Sequence, residues 1–149
     1  MLTIDEKGAV QTLSNYSKRL EKAGKVATQK AVFLTMNYME TQAKKNINKA
    51  IYQSPAGKYT RSGKAQQSII GQMLSTNSAR VYMGVNYGKY LEEGTGVYNG
   101  RKPYFTTFGG LLPNPIFYKG MKPRPFWIPS VKETKKEIPN IFKKVIKEI

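Results

Sequence analysis

The chain has no cysteine and no histidine. Their absence excludes disulfides, thiolate nucleophiles, histidine acid–base chemistry and every Cys/His zinc site. Acids are scarce as well: nine Asp and Glu stand against 25 Lys and Arg, a formal net charge of +16. Any catalysis would have to run on carboxylates, Lys, Ser, Thr or Tyr. No apolar stretch approaches the ~20 residues that span a bilayer. Met1-Leu2-Thr3-Ile4-Asp5-Glu6 has neither a basic start nor an apolar run. It does not support a secretory signal, and the expectation is a chain made and used in the cytosol, away from membranes.

Its 149 residues suit one domain, 1–149, and a chain of that length buries roughly 70% of its unfolded surface without covalent staples. The charge is unevenly placed. From Thr41 through Lys132 fourteen basic residues face only Glu92 and Glu93. Such a field favours polyanions or acidic protein surfaces.

Val10, Leu13, Tyr16 and Leu20 recur at spacings of three and four, which predicts a short amphipathic helix closed by Gly24. A second, longer helix is predicted from the stripe Ala27, Ala31, Leu34, Tyr38, Ala43, Ile47 and Ile51. Ser54 to Gly63 has turn chemistry throughout. Its Gly57-Lys58 and Gly63-Lys64 pairs miss the phosphate-loop pattern, because five residues separate the glycines and Ala65 follows Lys64.

Ser68–Leu74 and Ala79–Val85 read as a half-buried antiparallel hairpin, with Val81, Met83 and Val85 on one face and Arg80, Tyr82 and Gly84 on the other. Residues 97–121 are rich in Gly, Pro and aromatics and too long for a bare connector. They read as a functional arm or as a ribbon that orders against a neighbour. A last helical stripe runs from Val131 to Ile149, and Pro139 breaks it, kinks it or starts its second half. The predicted fold class is α+β: N-terminal helices and a C-terminal helix packed on a small antiparallel β-sheet, with a long aromatic, Pro- and Gly-rich arm. Two strands alone are marginal, so the arm or residues 2–4 are expected to supply more.

Chemistry-bearing clusters are few. Glu92 and Glu93 are neighbours, so on a helix they diverge by about a hundred degrees and cannot face each other as an acid–base pair. No other acid has a spacing that requires convergence on a metal. The reading is of no catalytic, cofactor-binding or metal-binding residues. Glu92 suits a structural role, accepting hydrogen bonds from the Gly94-Thr95-Gly96 turn or pairing with an Arg of a neighbouring subunit.

Two blocks remain. Asn86-Tyr87-Gly88-Lys89-Tyr90-Leu91-Glu92-Glu93-Gly94-Thr95-Gly96 reads as a short amphipathic turn with Tyr87, Tyr90 and Leu91 on one side, ended by its glycines. Lys122-Pro123-Arg124-Pro125-Phe126-Trp127-Ile128-Pro129-Ser130 reads as a rigid lead into the last helix, with Phe126 and Trp127 as anchors. In order and spacing they resemble the blocks of the tailed-bacteriophage head–tail joining, or neck and tail-completion, family. That family carries Tyr-small-x-Tyr-apolar-Glu-aromatic-Gly-Thr and then Arg-Pro-Phe-apolar-x-Pro-small. A looser match lies at Ser62-Gly63-Lys64-Ala65-Gln66-Gln67-Ser68. Ala65 and Glu93 depart from the larger apolar and the aromatic residue usual there.

The resemblance implies a non-enzymatic virion protein of the head–tail junction. It implies a homo-oligomeric ring, six-fold or twelve-fold, between the head connector or head-closure protein and the tail-terminator or tail-tube protein. Tyr87, Tyr90, Glu92, Thr95, Arg124, Phe126 and Trp127 are then the expected subunit or partner contacts. Lys58, Arg61, Lys64, Arg101 and Lys102 are the candidates to face genomic DNA without reading its sequence. The alternative expectation is a basic, non-sequence-specific nucleic-acid-binding protein that combines Lys and Arg with interleaved Tyr and Phe.

Overall fold

A computed structural model describes residues 6–53, 62–106 and 114–148. It is α+β, with a long N-terminal helix, a C-terminal helix and a small antiparallel hairpin between them in sequence. Helix α1 spans Glu6–Ile47 and runs directly into a π-helical turn, Asn48–Tyr52. The expectation of two N-terminal helices divided at Gly24 is therefore corrected: one helix passes through it. A single glycine in a helix costs about 1 kcal/mol relative to alanine. Good helix formers on both sides, from Lys18 to Ala23 and from Ala27 to Ala31, outweigh that cost.

After the short helix α2 (Lys64–Gln67) come strands β1 (Ile69–Ser75) and β2 (Ser78–Met83), paired antiparallel with Ile69 opposite Met83 and Gly71 opposite Val81. The predicted alternation holds, with Val81 and Met83 packed against the core and Arg80 and Tyr82 outward. On that outer face Arg80 donates twice to Gln72 Oε1, at 3.0 and 2.7 Å, and lies over the Tyr82 ring.

Helix α3 (Gly88–Glu93) and a 3₁₀ turn (Gly96–Asn99) lead to the arm. Within the arm, β3 (Tyr104–Thr106) and β4 (Ile116–Tyr118) form a second two-stranded sheet, separate from the first. The arm thus supplies two further strands but in a sheet of their own, so among the described residues the β1–β2 sheet keeps two strands; residues 2–4 and most of the 54–63 loop lie outside the described residues. Helix α4 (Trp127–Lys147) continues unbroken through Pro139.

The core gathers Ala43, Ile47 and Ile51 from the end of α1 and its π turn, Ala65 from α2, Ile69 from β1, and Phe126 just before α4. Helix α4 lies antiparallel along the second half of α1. Near its start Asn46 donates to Ser130 Oγ at 2.9 Å, and near its end Lys30 pairs with Glu148. Ser130 is fully buried and its hydroxyl donates back to the Phe126 carbonyl. Glu40 ties α1 to the hairpin: one carboxylate oxygen takes the Gly71 N–H at 2.8 Å and the other takes Lys44 Nζ at 2.6 Å. Chiefly the Lys44 hydrogen bond, with the Gly71 N–H adding to it, holds the Glu40 carboxyl below the usual carboxylate range against the opposing effect of burial.

Candidate functional site: one clamp built from two sequence blocks

Helix α4 opens without a local cap. Phe126 occupies the position where Ser, Thr, Asp or Asn would satisfy the unpaired N–H groups of a first turn. Their acceptor comes from α3. The Glu92 carboxylate takes the N–H of Phe126 at 2.8 Å and of Trp127 at 2.9 Å on Oε2, and of Ile128 at 3.0 Å on Oε1. The next residue, Pro129, has no N–H to satisfy. Ser130 N–H then makes the first intrahelical bond, to the Phe126 carbonyl. One carboxylate and one proline thus account for every donor of the first turn, and the negative charge sits where the helix dipole favours it.

The same logic explains the alternating prolines. Pro123 and Pro125 carry no N–H, and the Arg124 N–H between them bonds the Leu91 carbonyl at 2.8 Å. Leu91 itself packs on the core while Tyr87 and Tyr90 remain exposed. The helical turn therefore does not keep all three on one buried side.

Thr95 forms the second half of the clamp. Its N–H donates to the Met121 carbonyl and its Oγ1 accepts the Met121 N–H, both at 2.9 Å, and Oγ1 shares a 2.6 Å hydrogen bond with the Tyr118 hydroxyl. Val97 N–H adds a bond to the Lys119 carbonyl. The strand-like approach leaves no room at three positions, Gly94, Gly96 and Gly120, the last facing the Thr95 carbonyl. Gly94, at φ 75°, would place a Cβ 2.5 Å from the Met121 carbonyl oxygen, and Gly96, at φ 64°, would drive one into the Lys119 carbonyl.

Of the residues expected at subunit or partner contacts, Glu92, Thr95 and Phe126 turn inward and join segments of the same chain. Phe126 is 2% exposed and meets Trp127 edge to face. Arg124 and Trp127 are half-buried, and Trp127 reaches the rim of an apolar groove. Tyr87 and Tyr90 face outward. Glu93 points away from the clamp, 3.9 Å from Lys89 on the surface.

Among the basic candidates, Lys64, Arg101 and Lys102 are exposed. Lys58 and Arg61 lie outside the described residues. Tyr90, Arg101, Tyr104 and Tyr118 share a shallow niche of about 210 Å³. Among the described residues, no three carboxylates gather in a geometry that could hold a metal ion, and no helix is long and apolar enough to cross a membrane.

Sequence reasoning missed Tyr118, Asn46 and Ser130. It also missed the groove between α1, β2 and α4, whose lining residues read simply as core stripes. One signal did point to a remote acceptor: a helix start with a Pro at its third position and no capping side chain before it. The chain matches no protein-family model, no curated protein and no solved structure.

Proposed function

We propose that the chain is a structural protein of the head–tail junction of a tailed phage or prophage, a neck or tail-completion protein. In this reading it assembles as a ring around the DNA channel and connects the head connector to the tail. The observation that carries the proposal is the bonding of the Glu92 carboxylate to the Phe126, Trp127 and Ile128 N–H groups. The two blocks on which the family resemblance rests are one hydrogen-bonded unit, so their joint occurrence and order have a structural reason.

The chemistry suits a scaffold. Glu92 and Thr95 join segments of their own chain, while Tyr87 and Tyr90, and Phe105 and Phe117 of the arm, are exposed toward a neighbour. In the ring, Lys64, Arg101 and Lys102, with Lys58 and Arg61, line or border the channel. There they hold phosphates without reading bases. Basic surfaces also steer docking onto acidic connector or tail-terminator faces.

The test is electron microscopy of particles made with this chain deleted and then restored. DNA-filled heads beside complete, unattached tails, rescued by the restored chain, are the expected result. Normal infectious particles without the chain would remove the proposal.

One observation favours a second reading, a non-sequence-specific nucleic-acid binder: the niche where three tyrosines meet Arg101 offers stacking faces beside a phosphate partner. A dedicated binder holds single strands or duplex tightly at physiological ionic strength with a steep salt slope, whereas a neck protein binds weakly as a monomer.

A further inference from the structure

Strand β2 has an edge with nothing paired to it. The Gly84 N–H bonds the Ser68 carbonyl, which puts the hydrogen-bonded pairs of the hairpin at Ile70–Tyr82 and Gln72–Arg80. The main-chain groups of the residues between them point out of the ladder. On the β1 side, Glu40 takes the outward Gly71 N–H. On the β2 side the outward N–H and C=O groups belong to Ala79, Val81 and Met83, all half-buried, and among the described residues no hydrogen bond reaches them. Half-buried main-chain groups without partners are costly, and a bare strand edge is a template for another strand.

This edge opens onto a trough. Beside Ala79 and Val81 lies an apolar space of about 420 Å³, lined also by Met36 of α1 and by Val131 and Ile138 of α4. It is continued past Met83 and Val85 by a second space of about 490 Å³ that reaches Phe126, and Val81 and Trp127 border both. From Ala79 to Met83 the edge runs roughly 13 Å, at ~3.3 Å per residue. An extended segment laid along it meets main-chain partners at every second residue and turns alternate side chains toward the apolar lining. A helix or an irregular loop would leave the outward groups of Ala79, Val81 and Met83 unbonded.

Charge narrows the sequence of that segment. Arg80, on the outer face, is bonded to the neutral Gln72 and lies over Tyr82, and Lys135 lines the trough from α4. Neither cation has a carboxylate within ion-pair distance among the described residues. A strand residue opposite Arg80 stands on the same outer face, where an acid is favoured and a base repelled. A second copy of the chain carries the same net charge of +16 and is repelled.

We infer that the β2 edge is a peptide-docking site: it takes an extended segment of a different protein as the third strand of the β1–β2 sheet. That segment is apolar at the alternate positions that face the trough and acidic at those between. The edge belongs to the single chain and requires no ring.

The probe is a capped nonapeptide of alternating valine and glutamate. Trp127 is the single tryptophan and borders both spaces, so its fluorescence reports binding. A saturable change is expected, with amide exchange at Val81 and Met83 slowed at least tenfold. The same peptide with lysine in place of glutamate should bind at least tenfold more weakly. Arg80→Glu plus Lys135→Glu, both exposed positions, should reverse that preference, and far-UV circular dichroism checks that the double variant folds. Of two peptides N-methylated on alternate residues, at the valines or at the glutamates, at least one should lose tenfold or more. Equal binding by both methylated forms would show that side chains alone hold the peptide and overturn the added strand. Equal binding of the lysine and glutamate peptides to the wild-type chain would overturn the acidic partner. No binding up to the solubility limit of the peptide, or binding without slower exchange at Val81, would overturn the site. Protection of Val81 that grows with the concentration of the chain alone would make a second copy the occupant, and overturn the inference.

Discussion

Glu92 and Phe126, 34 residues apart, are joined by a carboxylate-to-main-chain hydrogen bond of 2.8 Å. The same side chain caps the next two residues of α4. Among the described residues its neighbour Glu93 pairs with Lys89, at 3.9 Å on the surface. The two glutamates therefore differ sharply in what they hold. Glu92→Ala leaves three first-turn donors without their acceptor and should destabilise the fold by about 2–3 kcal/mol. Glu93→Ala should change stability by no more than about 0.5 kcal/mol. Urea midpoints of the two variants at equal m-value check this directly. Equal effects would mean that α4 is capped by something other than Glu92.

The Thr95 hydroxyl is a second point where the first block holds a distant segment, Tyr118 and Met121, through one atom. Thr95→Val keeps the shape but leaves the Met121 N–H and the Tyr118 hydroxyl without Oγ1, a loss of about 1–3 kcal/mol. Thr95→Ser restores the acceptor and should recover most of it. Faster amide exchange at Met121 in the valine variant, and not in the serine variant, is the expected local signature.

Acid should weaken the α1–hairpin contact in a defined way. The Glu40 carboxyl titrates below its unfolded value, first because of the Lys44 hydrogen bond. Between the two pKa values the unfolded chain therefore binds more protons than the folded one. The stabilisation is complete above the unfolded carboxylate range and is lost as pH falls through the folded pKa. Glu40→Gln removes that proton uptake, so its stability profile over the acid range should be flatter than wild type. Its amide oxygen can still accept the Gly71 N–H. A series of urea midpoints from neutral to acidic pH measures the difference; parallel profiles would show that Glu40 contributes nothing to it.

What was legible in the sequence follows from periodicity. The stripes of the second half of α1 and of α4, and the alternation of Val81 and Met83 with Arg80 and Tyr82, arise because one face of each element is buried, whereas Leu13, Tyr16 and Leu20 in the first half of α1 stay more than half exposed. Those patterns gave the α+β class and the ends of the two hairpin strands to within two residues. The partners of Glu92 were not legible, since a carboxylate near a Gly-Thr-Gly turn has donors close at hand. Only the folded chain brings the uncapped start of α4 to it. Asn46–Ser130 and Thr95–Tyr118 were hidden for the same reason: each links residues whose local sequence shows no pattern.

Gly24 marks the place where local reading and fold part, and it provides the last test. As a helix stop it would adopt the left-handed conformation that glycine tolerates and alanine does not, and Gly24→Ala would destabilise the chain. Within a continuous α1, a Cβ at Gly24 meets nothing within 4 Å and the residue is not in the positive-φ region. Alanine there reduces the conformational freedom of the unfolded chain and strengthens the helix, so Gly24→Ala should stabilise by about 0.5–1 kcal/mol. A higher urea midpoint, with slower amide exchange from Leu20 to Ala27, is the expected outcome. A lower midpoint would show that α1 is divided at Gly24, and the first half of the helix would then have to be placed independently of the second.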